Sequence, residues 1–158
     1  MKTIIIFTGK TTDREIATLV ERYAERIKHY IQFDIAVTPD IKHTAKLTEA
    51  QICQAEGENI AKLLAPRDHI ILLDEHGDEM RSVDFAAWVR KKWCNSAAKR
   101  IVFIVGGPYG FSEQIKKLSH ESISLSRMTF SHQMVRVIIA EQLYRALTIL
   151  NGEPYHHE

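Results

Sequence analysis

Ile101-Val102-Phe103-Ile104-Val105-Gly106-Gly107-Pro108-Tyr109-Gly110 decides the reading of this chain. Five consecutive apolar residues, mostly β-branched, form the signature of a strand buried on both faces, as in a parallel sheet. The run stops in a Gly-Gly-Pro-Tyr-Gly loop, where glycine lets the backbone approach a ligand and Pro108 stiffens the turn and removes an amide donor. A rigid loop at the carboxyl end of a buried strand is the usual ligand position of an open α/β sheet. The loop carries neither G-x-G-x-x-G nor the Gly-Lys-Ser/Thr of a P-loop. A ligand without phosphate, held by backbone contacts, suits it; a plain strand-to-helix turn is the competing reading.

Outward from this strand, elements alternate. Thr3 to Thr8 reads as a first strand, followed by a helix to about Tyr30 whose Thr12-Asp13-Arg14-Glu15 has the form of a capping box. Phe33 to Val37 is a second strand and Ile41 to Lys46 a polar loop. A second helix starts near Thr48, again with a capping form, and ends at Pro66; Gly57 inside it suggests close packing. His69 to Leu73 is a third strand, with Asp74-Glu75-His76-Gly77-Asp78-Glu79 read as the loop after it. Ser82 is positioned to cap a third helix. After the glycine loop come a short helix from Ser112, a strand over Ser122 to Leu125, and a last helix striped with Val135, Ile138, Ile139, Leu143, Ala146, Leu147 and Leu150. This β-α alternation predicts an α/β fold, a mostly parallel sheet with helices on both faces, and residues 1–158 as one domain. The apolar stripe of the last helix packs on its own sheet or against a second copy.

Composition narrows the function. At 45% hydrophobic and 26% charged residues the chain is of ordinary globular type, and a formal charge of +1 gives no global field for nucleic acid. RNA binding would need local patches, such as Arg90, Lys91, Lys92, Lys99 and Arg100, or a surface shared by two subunits. Cys53 and Cys94 lack metal spacing and suit a reducing cytoplasm. The apolar start, Met1 to Phe7, is too short for a signal peptide, and no segment is long enough to span a membrane.

In a parallel sheet the loops after the third, fourth and fifth strands share one edge. Asp74 to Asp78, Gly106 to Gly110, and Ser126 to His132 therefore converge. Glu75-His76-Gly77-Asp78 matches no known metal spacing, and no metal is expected. His132, Arg136, Glu141, Tyr144 and Arg145 surround the start and middle of the last helix, where arginines more often pair with nearby carboxylates. Pro154-Tyr155-His156-His157 places titratable groups where termini normally fray.

The run Ile104 to Gly110, then Ser124-Leu125-Ser126, His132-Gln133-Met134-Val135-Arg136-Val137, Glu141-Gln142-Leu143-Tyr144-Arg145-Ala146 and Pro154-Tyr155-His156 resembles the ribosomal RNA large subunit methyltransferase H family. The resemblance covers essentially the whole chain, with its specific motifs in the last third. It implies a SPOUT fold with a C-terminal trefoil knot, an exception to the rule against knots. It further implies a cytoplasmic homodimer using S-adenosylmethionine to methylate N3 of pseudouridine 1915 in 23S ribosomal RNA, on the assembled ribosome. By position, cofactor contacts fall to Leu73, Gly106 and the run Leu125, Ser126, Arg127, Met128, Thr129 and Phe130, through backbone more than side chains.

Methyl transfer by direct displacement then needs alignment of nucleophile, methyl and sulfur, and loss of the N3 proton. Tyr155 and His156 are the candidates that hold the base or assist proton loss, with His132 as alternate base. Arg136 and Arg145 are candidates to bind phosphate or a developing anion. A non-catalytic RNA-binding module with the same fold, and an unrelated α/β nucleotide enzyme, are the alternatives; the second would need a phosphate fingerprint.

Overall fold

The computed structural model describes residues 1–95 and 97–157. Five strands form one parallel sheet: β1 (Lys2–Phe7), β2 (Phe33–Val37), β3 (Asp68–Glu79), β4 (Arg100–Val105) and β5 (Glu121–Ser124), in the order β2-β1-β4-β3-β5. Five helices connect and follow them: α1 (Arg14–Lys28), α2 (Glu49–Ala61), α3 (Ser82–Trp93), α4 (Glu113–Leu118) and α5 (Met134–Leu150), with a short 3₁₀ turn at Thr44–Lys46. The central position of β4 explains its unbroken apolar run: Ile101 to Val105 are all at most 1% exposed. Successive side chains point to opposite faces. Ile101, Phe103 and Val105 join a core with Ile5, Phe7 and Ile71 under α1, α3 and α5. Val102 and Ile104 join Ile4, Ile6, Ile70 and Leu72 under Ile60 of α2 and Ile115 of α4. Helices thus cover both faces, as the alternation predicts.

Local signals are met unevenly. Thr48 and Gln51 form the expected reciprocal capping box on α2. Ser112 caps α4. At α1, however, the cap is Asp13, whose Oδ1 accepts from the Ile16 amide at 3.0 Å; the Thr12 amide instead donates to Gln133 Oε1. Two capping residues stand side by side there, and Asp13 is the one beside the first turn. Ser82 does not cap α3 but is its first residue, and its hydroxyl crosses to Gln142 Oε1 on α5 at 2.9 Å. Gly57 does mark close packing: a Cβ there would collide with Ser112. On α5, Ile139, Leu143, Ala146 and Leu147 are buried against α1 and α3, while Val135, Ile138 and Leu150 stay partly exposed.

The largest departure from expectation is the segment Asp74 to Glu79. It is not a loop after β3 but the continuation of β3. Leu73 pairs with Ile123, the chain shifts register, and Asp78 pairs with Ile123 again, with Glu79 opposite Ser124. Residues between the two registers arch outward. An acidic run reads as solvated loop because side-chain pattern carries no information on whose backbone it pairs with.

The opposite end of the sheet is closed by ion pairs. Asp68, buried, accepts from Arg100 Nε at 2.6 Å and Nη2 at 2.5 Å. Glu121 on edge strand β5 accepts from Lys92 Nζ and His69 Nε2, each at 2.5 Å, and from Trp88 Nε1 at 3.2 Å. Lys92 and Arg100, from the basic cluster seen in the sequence, are therefore structural. Burial pushes the Glu121 carboxyl up, but the Lys92 and His69 hydrogen bonds outweigh it and hold it below its ordinary 4.5. A depressed carboxylate contributes stability that is present above its unfolded value and lost as pH falls through the folded one. Glu121→Gln should therefore cost about 1 kcal/mol at pH 7, with the gap to wild type closing below about pH 4. Urea unfolding at a series of pH values measures this; a gap constant down to about pH 3 would contradict it.

Candidate functional site

The carboxyl ends of β3, β4 and β5 open on one edge of the sheet, where a cleft of about 770 Å³ lies. Of the residues expected to contact a cofactor, Leu73, Gly106, Leu125, Ser126, Met128, Thr129 and Phe130 line it, with His132. Arg127 does not; its side chain is 86% exposed and its Nε donates to Glu79 at 2.8 Å. The walls are built from local turns. Gly110 N donates to Gly107 O at 3.2 Å, and Gly110 has the left-handed φ of 79° that favours glycine. Beneath, a Cβ on Gly106 would press the Phe111 ring at 3.1 Å. Ser124 Oγ donates to the Ser126 carbonyl and Ser126 Oγ accepts from the Met128 amide, each at 2.9 Å, shaping the loop after β5. Thr129 Oγ1 meets Glu75 Oε2 on the β3 arch at 3.4 Å.

Sequence reasoning missed the fourth wall, Glu49, Ala50 and Cys53 of α2 with Lys116 of α4. The signal existed: in a parallel sheet the connection after β2 opens on the same edge. These residues settle the charge of the cleft. Glu49, Asp74 and Glu75 face one ammonium, Lys116, and no arginine lines it among the described residues. Such walls suit a cation and repel phosphate.

His132 is partly buried at the cleft; burial first, then the Arg136 charge, push its imidazole down and favour the neutral ring. Arg136 does not reach the cleft. It is wholly buried, with Nη2 donating to Thr8 O at 2.8 Å, Nη1 to Gly9 O and Thr11 Oγ1 at 2.9 Å, and Nε to His132 O at 3.2 Å. Its guanidinium also lies 5.0 Å from the Phe7 ring centre. This placement corrects the expectation that Arg136 meets phosphate: its donors are turned inward, tying the loop after β1 to the start of α5.

Tyr155 and His156 also lie away from the cleft of their own chain, against the middle of α5. Tyr155 donates to Glu141 Oε1 at 3.1 Å and meets the Tyr144 ring edge-on at 4.8 Å. Arg145 pairs with Glu141 at 2.5 Å and contacts His156 Nδ1 at 3.3 Å. A guanidinium only donates, so Nδ1 accepts and a neutral His156 carries its proton on Nε2, an atom that is buried without a partner among the described residues. Burial, then the Tyr23 hydrogen bond and the Glu141 charge, hold the Tyr155 phenol far above its ordinary value, so it stays a donor. Glu141 stands about 10 Å along the axis from Met134. Residue 158 of the tail lies outside the described residues. Among the described residues no three His, Cys, Asp or Glu side chains are grouped to hold a metal ion, and no helix is long and apolar enough to cross a membrane.

A family model described as "Predicted SPOUT methyltransferase" matches residues 1–156. The chain belongs to the SPOUT methyltransferases. Within this family it is 56% identical, over all 158 residues and the full length of the relative, to a Bacteroides fragilis protein named ribosomal RNA large subunit methyltransferase H. A Porphyromonas gingivalis protein of the same name is 47% identical over the full length of both. The fold is also similar to that of a probable methyltransferase from Bordetella pertussis Tohama I, at a TM-score of 0.57 and 13% identity, over 92% of this chain and 96% of the other. As a SPOUT methyltransferase the chain is an enzyme of methyl transfer, and the cleft at the ends of β3, β4 and β5 is its candidate active site.

Proposed function

We propose that this enzyme uses S-adenosylmethionine to methylate N3 of pseudouridine 1915 in 23S ribosomal RNA, acting in the cytoplasm on the assembled ribosome. The observation that carries the reading is the convergence of Leu73, Gly106 and the 125–130 run on one acid-walled cleft, in a chain so close to relatives of that name. The cleft fits this cofactor on two counts. Its walls favour a sulfonium and an ammonium over phosphate, and Gly106, Gly107 and Gly110 line it with backbone that carries no side chain. When bound, the cofactor supplies an electrophilic methyl group on a positively charged sulfur.

The residues of this chain do the rest. The arch of β3 and the loops after β4 and β5 hold and orient the ligand through backbone groups, which by itself lowers the barrier by several kcal/mol. His132, kept neutral at the cleft, is able to accept the N3 proton. Tyr155, whose hydroxyl donates to Glu141, and His156, whose Nδ1 accepts from Arg145, fix the shape of the tail against α5. No metal takes part in this scheme.

Because Tyr155 and His156 lie away from their own cleft, we infer a homodimer in which each tail completes the partner's site. The partly exposed apolar residues of α5 support this. We further propose the C-terminal trefoil knot, a reading supported by the placement of β5 on the far side of β3 from β4.

The test is transfer of labelled methyl from S-adenosylmethionine to ribosomes lacking this modification, with free 23S RNA and separate subunits in parallel. Label on N3 of one pseudouridine, on assembled ribosomes only, is the expected result. No transfer despite bound cofactor would overturn the substrate, and no cofactor binding would overturn the enzyme reading. Deleting residues 155–158 should leave cofactor binding intact and reduce transfer at least about a hundredfold; full activity would remove the tail from the reaction.

A further inference from the structure

Glu56 sits on α2 behind the glycine turn. Its Oε2 is enclosed and has no hydrogen-bond partner among the described residues. A buried carboxylate oxygen left unpaired is costly and calls for compensation from elsewhere. Both carboxylate oxygens lie against Gly107, where an added Cβ would stand 2.6 Å from each. Gly107 is not among the positive-φ residues, so what a side chain here would contest is the space held by the Glu56 carboxylate, not the backbone conformation. Gly107 lines the cleft and Glu56 does not. One turn of bare backbone therefore separates a buried carboxylate from the ligand space.

The neighbouring charges do not neutralise it. Lys116 Nζ, across on α4, is taken by Glu113 Oε1 at 3.1 Å. Cys53, one turn earlier on α2, turns its thiol to the Gly110 carbonyl at 3.7 Å. Burial pushes the Glu56 carboxyl above its ordinary value, as for a charge with no counter-ion. A cation in the cleft would supply one.

We propose that Glu56 is a specificity-determining residue acting through the Gly106–Gly107 turn, its buried charge selecting a cationic sulfonium ligand over the neutral thioether that remains after methyl transfer. This rests on the reading of S-adenosylmethionine as cofactor. The sulfur loses its positive charge as the methyl leaves, so the attraction exists before the reaction and vanishes after it. Glu56 thereby favours exchange of spent cofactor for fresh, and contributes little to the chemical step itself.

The test is calorimetric binding of S-adenosylmethionine and S-adenosylhomocysteine to the full chain and to Glu56→Gln and Glu56→Asp, with thermal melting to verify folding. Glu56→Gln should weaken S-adenosylmethionine binding about tenfold and leave S-adenosylhomocysteine binding unchanged. Glu56→Asp, which keeps the charge, should restore most of the preference. In turnover, Glu56→Gln should raise KM without lowering kcat. Equal weakening of both ligands would mean a merely structural role, and no change in either would also overturn the proposal. Failure of the wild-type chain to bind either ligand would overturn the cofactor reading instead.

Discussion

Arg136→Met lowers the unfolding free energy by about 3 kcal/mol; this is the expected result of removing a buried arginine side chain that ties the loop after β1 to the start of α5. Burial pushes the guanidinium below its ordinary value, with the Asp40 charge opposing, so the cation itself is held at a cost. What offsets that cost is its set of acceptors, the carbonyls of Thr8, Gly9 and His132 and the Thr11 hydroxyl. Methionine fills similar volume and relieves the buried charge, but leaves those carbonyls unanswered at about 1 to 3 kcal/mol each where water cannot reach them. The net sign is loss, because several acceptors are orphaned and one charge is relieved. Denaturant unfolding measures it, and a change within about 0.5 kcal/mol would show that the acceptors find other donors. Since His132 follows the Arg136 anchor, the same variant should also weaken cofactor binding. Arg136→Lys, which cannot span all four acceptors, should fall between.

Gly77→Ala has the second large expected effect. A Cβ at this position would stand 2.6 Å from both the nitrogen and the carbonyl carbon of Ile123 and 2.7 Å from its Cα. These are backbone atoms of β5, so no side-chain rotation relieves the overlap. Either β3 and β5 separate or the arch between Leu73 and Asp78 reshapes. We expect a loss of about 3 kcal/mol, together with weakened cofactor binding, because Asp74, Glu75 and His76 of the arch form one wall of the cleft. Thermal unfolding and calorimetry on the same sample test both parts. Wild-type stability in this variant would contradict the close approach of the two strands.

Which parts of this were legible in the sequence follows from where the information lies. The strand Ile101 to Val105 was legible because burial on two faces leaves an unbroken apolar run. The convergence of the 74–78, 106–110 and 126–132 segments was legible because a parallel sheet puts all carboxyl ends on one edge. The capping box joins two residues three apart in the chain, Thr48 and Gln51, and local chemistry suffices. Thr12 failed as a cap for the opposite reason: Asp13 beside it can do the same work, and composition does not choose between them. The pairing of Asp78 and Glu79 with β5 is a backbone event between distant segments, which acidic side chains conceal. Glu56 reads in sequence as one more solvated helical carboxylate; only its position behind Gly107 distinguishes it. The tail against Glu141 and Arg145 could not be located from sequence, because it depends on how the chain returns along α5.

The strand order carries a consequence for how the molecule comes into being. β4 lies between β1 and β3, so a chain that ends before Arg100 contains a β1–β2 ribbon and a lone β3 with no shared edge. Parallel pairing across such long separations is intrinsically slow. The two apolar cores need β4 on both faces, and the cleft needs β5 and its loop after that. Nothing resembling a ligand site can exist on a partly synthesised chain; assembly begins in earnest when residues 100–105 arrive and ends when the last helix closes over the sheet.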